Sequence, residues 1–450
     1  MKKKINKATP LKGKYLVKNP LLYTFLKSVD FFSLKNFKIL KILKLEFFKS
    51  KITLKNEKIE LEKLLKKPKK ILLSNIAHLG DVLISLKAAT ILKEKYPKAK
   101  IGFVCSSVSR QIIEKFSLID KIFVVDHWKI NREEISNFKK IRKYLGSRKK
   151  IITEIKKEKY DVAIDLHYNF PNSIYLFYKS KIPIRIGYSS AGFENYLTHS
   201  QIWENRNQHV FSYHLDLLKF LNVDSNNKDL NIEPKLVKIS NDIFTKEFVN
   251  RYKDQNQKSL EKFDLPNHYI IFHIGAGSLK KMWDINKWQE LTKKLLEMGK
   301  KIVFTGKGKY ESSLISEIIK SQNYSKEKQI FFKFEQEERN NYYQKKLFNL
   351  SDKLNFSELS HIVKNAKLVI CVDSFILHLS TALDKPTIVI YSGINNATHW
   401  TEKKQNIIPI VKKMDCNPCY MKNGCKSMIC LNTIKIDDIL AKIKRFECKS

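Results

Sequence analysis

A rhythm of short apolar runs separated by helix-length stretches, played twice along the chain, limits this sequence more than any other feature. The first series is KILLSN (70–75), KIGFVC (100–105), KIFVVD (121–126) and YDVAIDL (160–166), with helical periodicity over Asp81–Lys95 between the first two. The second is HYIIFHIG (268–275), KIVFTG (301–306), KLVICV (367–372) and TIVIYSG (387–393), with a helix expected over Asn286–Met298. Strands alternating with helices make right-handed βαβ units and a parallel sheet covered on both faces. The polar stretch Asn222–Pro234 breaks the rhythm and reads as a linker, and the charged, Tyr-rich stretch Gln322–Lys346 as an insertion. The expected fold class is α/β: two doubly wound, Rossmann-like domains at 70–235 and 236–450, preceded by an extension at 1–69. Ligand sites of such domains lie at the carboxyl ends of the strands, and two domains facing each other would put a cleft between them.

The extension is of another kind. Residues 1–70 hold 21 lysines against five acids, interleaved with apolar clusters. Leu22, Phe25, Leu26, Val29 and Phe32 form one set at helical spacing, and Phe37, Leu40 and Leu43 a second. Two readings remain open: a helix packed on the body, and peripheral attachment to an anionic membrane surface. The run MKKKINKATPLKGK lacks the apolar stretch and cleavage site of a signal peptide, and no apolar run is long enough to span a bilayer, so a cytoplasmic address is expected.

Over the whole chain 85 basic residues face 45 acidic ones, a net charge of +40. Only nine of the basic residues are arginine, the side chain that nucleic-acid readers lean on for bidentate contacts. Lysine-rich solvated faces are therefore preferred to a specific nucleic-acid surface. Hydrophobic residues make up 43%, enough to fill packed cores and exclude wholesale disorder.

Three strand–helix junctions could carry chemistry. In the first, Gly80-Asp81-Val82, the carboxylate reads either as a helix N-cap or as a general base at the lip of a cleft. The second is Gly275-Ala276-Gly277-Ser278, followed by Lys281-Met282-Trp283 and Trp288. Small residues there let backbone amides approach an anion, with a lysine to neutralise it, while the two tryptophans read as packing anchors. The third, Asp373-Ser374-Phe375-Ile376-Leu377-His378, sets a strand end against a helix N-terminus, where free amides suit a diphosphate.

The three in this order resemble the ADP-heptose:lipopolysaccharide heptosyltransferase family, glycosyltransferase family 9, over about residues 70–435. The resemblance implies a GT-B fold that binds an ADP-sugar mainly through its C-terminal domain. It also implies inverting, metal-independent transfer of a heptose to a lipopolysaccharide core or similar lipid-linked oligosaccharide, at the inner face of the cytoplasmic membrane. By the same resemblance Asp81 is the catalytic base and Lys281 contacts the donor's phosphates or sugar. Glu311 holds the ribose, Leu354 lines the adenine pocket, and Asp373, Ser374 and His378 form the donor-binding element, beside Gly277 and Ser278. Phe375 departs from the family pattern, which has glycine there, and so keeps a different nucleotide-sugar donor open as an alternative. A non-enzymatic polyanion-binding protein is the other alternative. A dinucleotide oxidoreductase is disfavoured, because no G-x-G-x-x-G follows the first strand.

Cys416, Cys419, Cys425 and Cys430 lie close together in sequence. They read as reduced structural thiols or as a structural zinc site, not as a catalytic metal centre.

Overall fold

The structure is a computed structural model. It describes residues 14–15, 19–43, 51–129, 131, 135–223, 244–246, 262–323, 346–421 and 425–447, with backbone alone for 33–43 and 51–58. Most of the expected linker and of the expected insertion lies outside the described residues, as does the set Phe37, Leu40 and Leu43 as far as side chains are concerned.

Two compact units emerge, each built on one sheet. The first sheet takes β1 (Lys70–Ser74), β2 (Lys100–Cys105), β3 (Lys121–Val124), β4 (Val162–Asp165), β5 (Ile184–Tyr188) and β6 (His199–Gln201). The second takes β7 (Ile270–His273), β8 (Ile302–Thr305), β9 (Leu347–Asn349), β10 (Leu368–Val372), β11 (Thr387–Ile390) and β12 (Ile407–Ile410). The orders are β3-β2-β1-β4-β5-β6 and β12-β11-β10-β7-β8-β9, and every pairing is parallel. Read from opposite edges, these are the same doubly wound topology. Winding reverses between β1 and β4 in the first sheet and between β7 and β10 in the second. A ligand crevice forms at such a reversal.

The central strands are buried along nearly their whole length, which is why they read as unbroken apolar runs. Trp283 and Trp288 belong to the core of the second unit, with ring centroids 5.3 Å apart, as the packing-anchor reading expects.

Part of the extension is seated on the first unit. In the helix Pro20–Leu43, Leu26 is fully buried against Gly192, where an added Cβ would come within 2.9 Å of the leucine. Gly192 also has φ +79°, so glycine is required there on two counts. Asp30 accepts a hydrogen bond from the Tyr15 hydroxyl (2.8 Å) and pairs with Lys14 (3.3 Å), and its carbonyl accepts from the Asn195 side chain (2.6 Å).

Three histidines are held neutral by burial. His127 is pushed down to about 3 with help from Lys129 and Arg148, His214 to about 3 with help from His209 and His167, and His273 to about 4. The Lys129 backbone N–H donates to His127 Nδ1 (3.2 Å), which fixes that nitrogen as an acceptor. These values lie below the ordinary 6.5, so the unfolded chain binds more protons as pH falls through the window from 6.5 to about 3. The stability held by neutral histidine is complete above that window and is lost going down it, at up to about 1.4 kcal/mol per pH unit for each site. Buried Asp165, raised to about 6 by desolvation, works in the opposite direction between its unfolded value and 6. Thermal melts of the full chain are therefore expected to be flat from pH 7 to 8 and to fall below pH 6. His214→Phe should flatten that fall by up to the amount of one site; an unchanged slope would contradict the assignment.

Candidate functional site

In the second unit the carboxyl ends of β11, β10, β7 and β8 stand side by side, and four loops rise from them. From the β10 end, Asp373 is buried and its Oδ2 pairs with Lys281 Nζ at 2.7 Å. Lys281 belongs to the short 3₁₀ turn Leu279–Lys281 after β7, which Ser278 caps by accepting from the Lys280 N–H (3.4 Å). Two residues 92 positions apart in sequence thus meet because β7 and β10 are neighbours at the reversal point. An ammonium has three donors, and Asp373 orients the group while taking one of them.

Asn395, from the loop after β11, donates to the same Asp373 oxygen at 3.0 Å. Sequence reasoning missed it, although its place just beyond a central strand's carboxyl end was a usable signal. Its loop is braced from the cysteine segment: the Gly393 N–H donates to Cys430 Sγ (3.1 Å), and the Cys419 N–H donates to the Gly393 carbonyl (2.9 Å).

Ser374 is the N-cap residue of the helix Phe375–Ala382, yet its hydroxyl caps nothing; the Oγ is screened from solvent and has no hydrogen-bond partner among the described residues. The Leu377 N–H bonds to the Ser374 carbonyl (3.2 Å), while the amides of Phe375 and Ile376 have no acceptor among the described residues. Such amides, with the positive end of the helix dipole, form an anion site. The Phe375 ring is turned onto Phe356 of the neighbouring helix Phe356–Asn365, 6.0 Å between centroids. Leu354, half-buried, directly precedes Asn355, the cap of that same helix. His378, one turn into the helix that Ser374 opens, lies 6.0 Å from the Trp400 ring.

Towards β8, Glu311 sits in the first turn of the helix Lys309–Asn323. Its Oε2 accepts from the Lys307 N–H at 2.9 Å. The Glu311 carboxylate fills the space where a side chain on Gly275 would stand, so a larger residue there would displace it. Gly277 lies exposed in that loop. Asp352, also missed in sequence, accepts from the Gly308 N–H (2.7 Å) and the Ser312 hydroxyl (2.7 Å), and these bonds hold its carboxyl below the ordinary carboxylate value.

In the first unit, Asp81 lies at the third position of the helix Leu79–Lys95, and His78 is the N-cap residue. The N-cap reading of Asp81 is corrected accordingly. Its Oδ2 accepts from the His78 N–H at 3.2 Å, the return bond of a capping box. The loop before it is tied down by Asn75, whose side chain donates to Ser85 Oγ (2.8 Å) and accepts from the Ala77 N–H (3.0 Å). Asp81 is half-buried, and its second oxygen has no partner among the described residues, so it can serve as cap and as proton acceptor together.

The four clustered cysteines are near enough that the other three, after burial, push the Cys416 thiol up. Among the described residues, however, no group of three or more His, Cys, Asp or Glu side chains is arranged to hold a metal ion. Cys430 accepts from the Gly393 amide, a bond open to a thiol and to a metal-bound thiolate alike.

Comparison with known proteins agrees with this architecture. The chain is 22% identical to lipopolysaccharide heptosyltransferase 3 of Escherichia coli (strain K12) over 383 residues, covering 81% of this chain and 94% of that protein. A glycosyltransferase family 9 structure from Veillonella parvula DSM 2008 superposes with a TM-score of 0.62 at 20% identity, covering 86% of this chain and 99% of that one. The E. coli heptosyltransferase WaaC with ADP superposes with a TM-score of 0.58 at 16% identity, covering 84% and 99%. The fold is of the GT-B type. Residues 148–427 match the family described as glycosyltransferase family 9 (heptosyltransferase), and the chain belongs to that family.

Proposed function

We propose that this chain moves a heptose from an ADP-sugar to a lipopolysaccharide core or similar lipid-linked oligosaccharide, with inversion and without a catalytic metal, at the inner face of the cytoplasmic membrane. One observation carries the reading: Lys281, Asp373 and Asn395 converge beside the open amides that begin the helix Phe375–Ala382, at the reversal point of the second sheet. That is a charged, donor-rich site suited to a diphosphate. The ribose falls to Glu311, the adenine side to Leu354, and the sugar to the neighbourhood of His378, with Gly277 and Ser278 on the loop that covers the phosphates.

The chemistry follows from these assignments. The acceptor hydroxyl attacks the anomeric carbon from the face opposite the nucleotide and gives its proton to Asp81. The bond from that carbon to the diphosphate breaks, and its electron pair leaves with ADP. The charge gained by the leaving group is met by Lys281 and by the amides of Phe375 and Ile376. The Phe375 ring is turned onto Phe356, so the departure from glycine is compatible with a diphosphate at these amides.

Thermal shift with a panel of nucleotides and nucleotide sugars tests the donor assignment. A ligand that binds only the native state raises the melting temperature, the more so the higher its concentration relative to Kd. In chelator-treated buffer, ADP and ADP-heptose are expected to raise it, and UDP- and GDP-sugars to leave it unchanged. A larger shift with a uridine or guanosine donor, or a shift that requires added metal, would overturn the reading.

A further inference from the structure

The helix Pro20–Leu43 shows two different faces. At about 100° per residue, Leu22, Tyr23, Val29 and Asp30 lie within about 60° of Leu26, and this is the side seated on the first unit. Phe25, Phe32, Leu21 and Phe31 lie about 100° to 140° from Leu26 on the same wheel. They are exposed at 50%, 61%, 81% and 62%. The sequence set Leu22, Phe25, Leu26, Val29 and Phe32 is thus divided: Leu26 is buried, while Phe25 and Phe32 face outward.

Four large apolar side chains on one short helical stretch, three of them phenylalanine, are costly to leave in water. Lys27 is exposed beside them, and the first 70 residues as a whole carry 21 lysines against five acids. The single acid of the described stretch, Asp30, is turned into the body and bonded there. The described outward face is therefore apolar, with Lys27 at its border and no acid on it. No helix among the described residues is long and apolar enough to cross a membrane. An apolar stripe in a lysine-rich setting matches an anionic lipid surface, where aromatic rings enter the headgroup boundary and lysines meet the phosphates.

We infer that the Leu21, Phe25, Phe31 and Phe32 face of this helix is a docking surface for anionic lipid, held to the first unit by Leu26 and Asp30. The helix then serves as a rigid foot, because its inner face is fixed while its outer face enters the interface. This inference rests on the helix alone and does not depend on the assignment of donor or acceptor.

The test uses the full chain with phosphatidylcholine vesicles and with phosphatidylcholine–phosphatidylglycerol vesicles, read by co-sedimentation. The wild type is expected to bind the mixed vesicles and to bind pure phosphatidylcholine at least about tenfold more weakly, with binding that falls as salt is raised. The triple variant Phe25→Ser, Phe31→Ser, Phe32→Ser should weaken binding to mixed vesicles at least about tenfold while keeping the wild-type melting temperature. If the triple variant does not fold, Phe25→Ser alone gives the same reading in smaller measure. Equal vesicle binding by variant and wild type, no binding by the wild type, or equal binding to both vesicle types would overturn the inference. So would a wild-type dimer in sedimentation velocity that the triple variant abolishes, since the face would then be covered by a second copy.

Discussion

Asp81→Asn is expected to lower kcat by about 10²- to 10⁴-fold, the usual contribution of a positioned general base. Donor affinity and melting temperature should stay close to wild type. The separation comes from geometry. The oxygen that accepts from the His78 N–H at 3.2 Å can be kept by the asparagine carbonyl, so the helix retains its capping bond. What is lost is the basic oxygen proposed to take the acceptor's proton. Asp81→Ala would remove both, and is expected to add about 1 kcal/mol of destabilisation to the kinetic loss. A near-normal kcat for Asp81→Asn would reduce Asp81 to a helix cap.

Lys281→Ala should behave differently, because its defect reaches binding, turnover and stability together. The ammonium is the ionic partner of buried Asp373, and without it that carboxylate retains Asn395 alone among the contacts described above. Removing one member of a fully buried pair costs about 3–5 kcal/mol. Here Lys281 keeps 23% of its side-chain surface, and about 1–3 kcal/mol is the proportionate expectation. In the proposed donor site the diphosphate then meets an uncompensated negative charge instead of a positive one, so ADP affinity is expected to fall at least about tenfold and kcat with it. Lys281→Arg should recover part of the affinity. Adding Asp373→Asn to Lys281→Ala should recover stability but not turnover. If Lys281→Ala lost stability while ADP affinity held, the lysine would be a partner of Asp373 and nothing more.

The fold was legible in sequence wherever strands are buried on both faces, because such strands are written as unbroken apolar runs. The edges were not. β12 contains Pro409, which argues against a strand and is tolerated because β12 is an edge strand. β6 is the polar triplet His199–Gln201 and β9 the triplet Leu347–Asn349, both at edges and both too short for periodicity to register. β5 carries Arg185, whose guanidinium bonds back to the Tyr196 carbonyl (2.6 Å), a contact no local pattern foretells.

The candidate site divides along the same line. Lys281 and Asp373 were each visible as residues at strand ends, but their bond is a property of the β7–β10 pairing and not of either segment. Asn395 carries no motif of its own. Ser374 takes the N-cap position, yet its hydroxyl makes no cap bond. The N-terminal helix was legible as amphipathic, yet which of its apolar residues face the body depended on Gly192 making room for Leu26.

The central claim is transfer of a heptose from ADP-heptose, and the mass of the reaction product tests it most directly. Full-length protein should be incubated in chelator-containing buffer with ADP-heptose and a truncated lipopolysaccharide core acceptor. The acceptor is expected to gain the mass of one heptosyl residue with release of one equivalent of ADP, and Asp81→Asn to form neither on the same timescale. An acceptor of unchanged mass with ADP-heptose, together with a shifted one from another nucleotide sugar, would contradict the central claim.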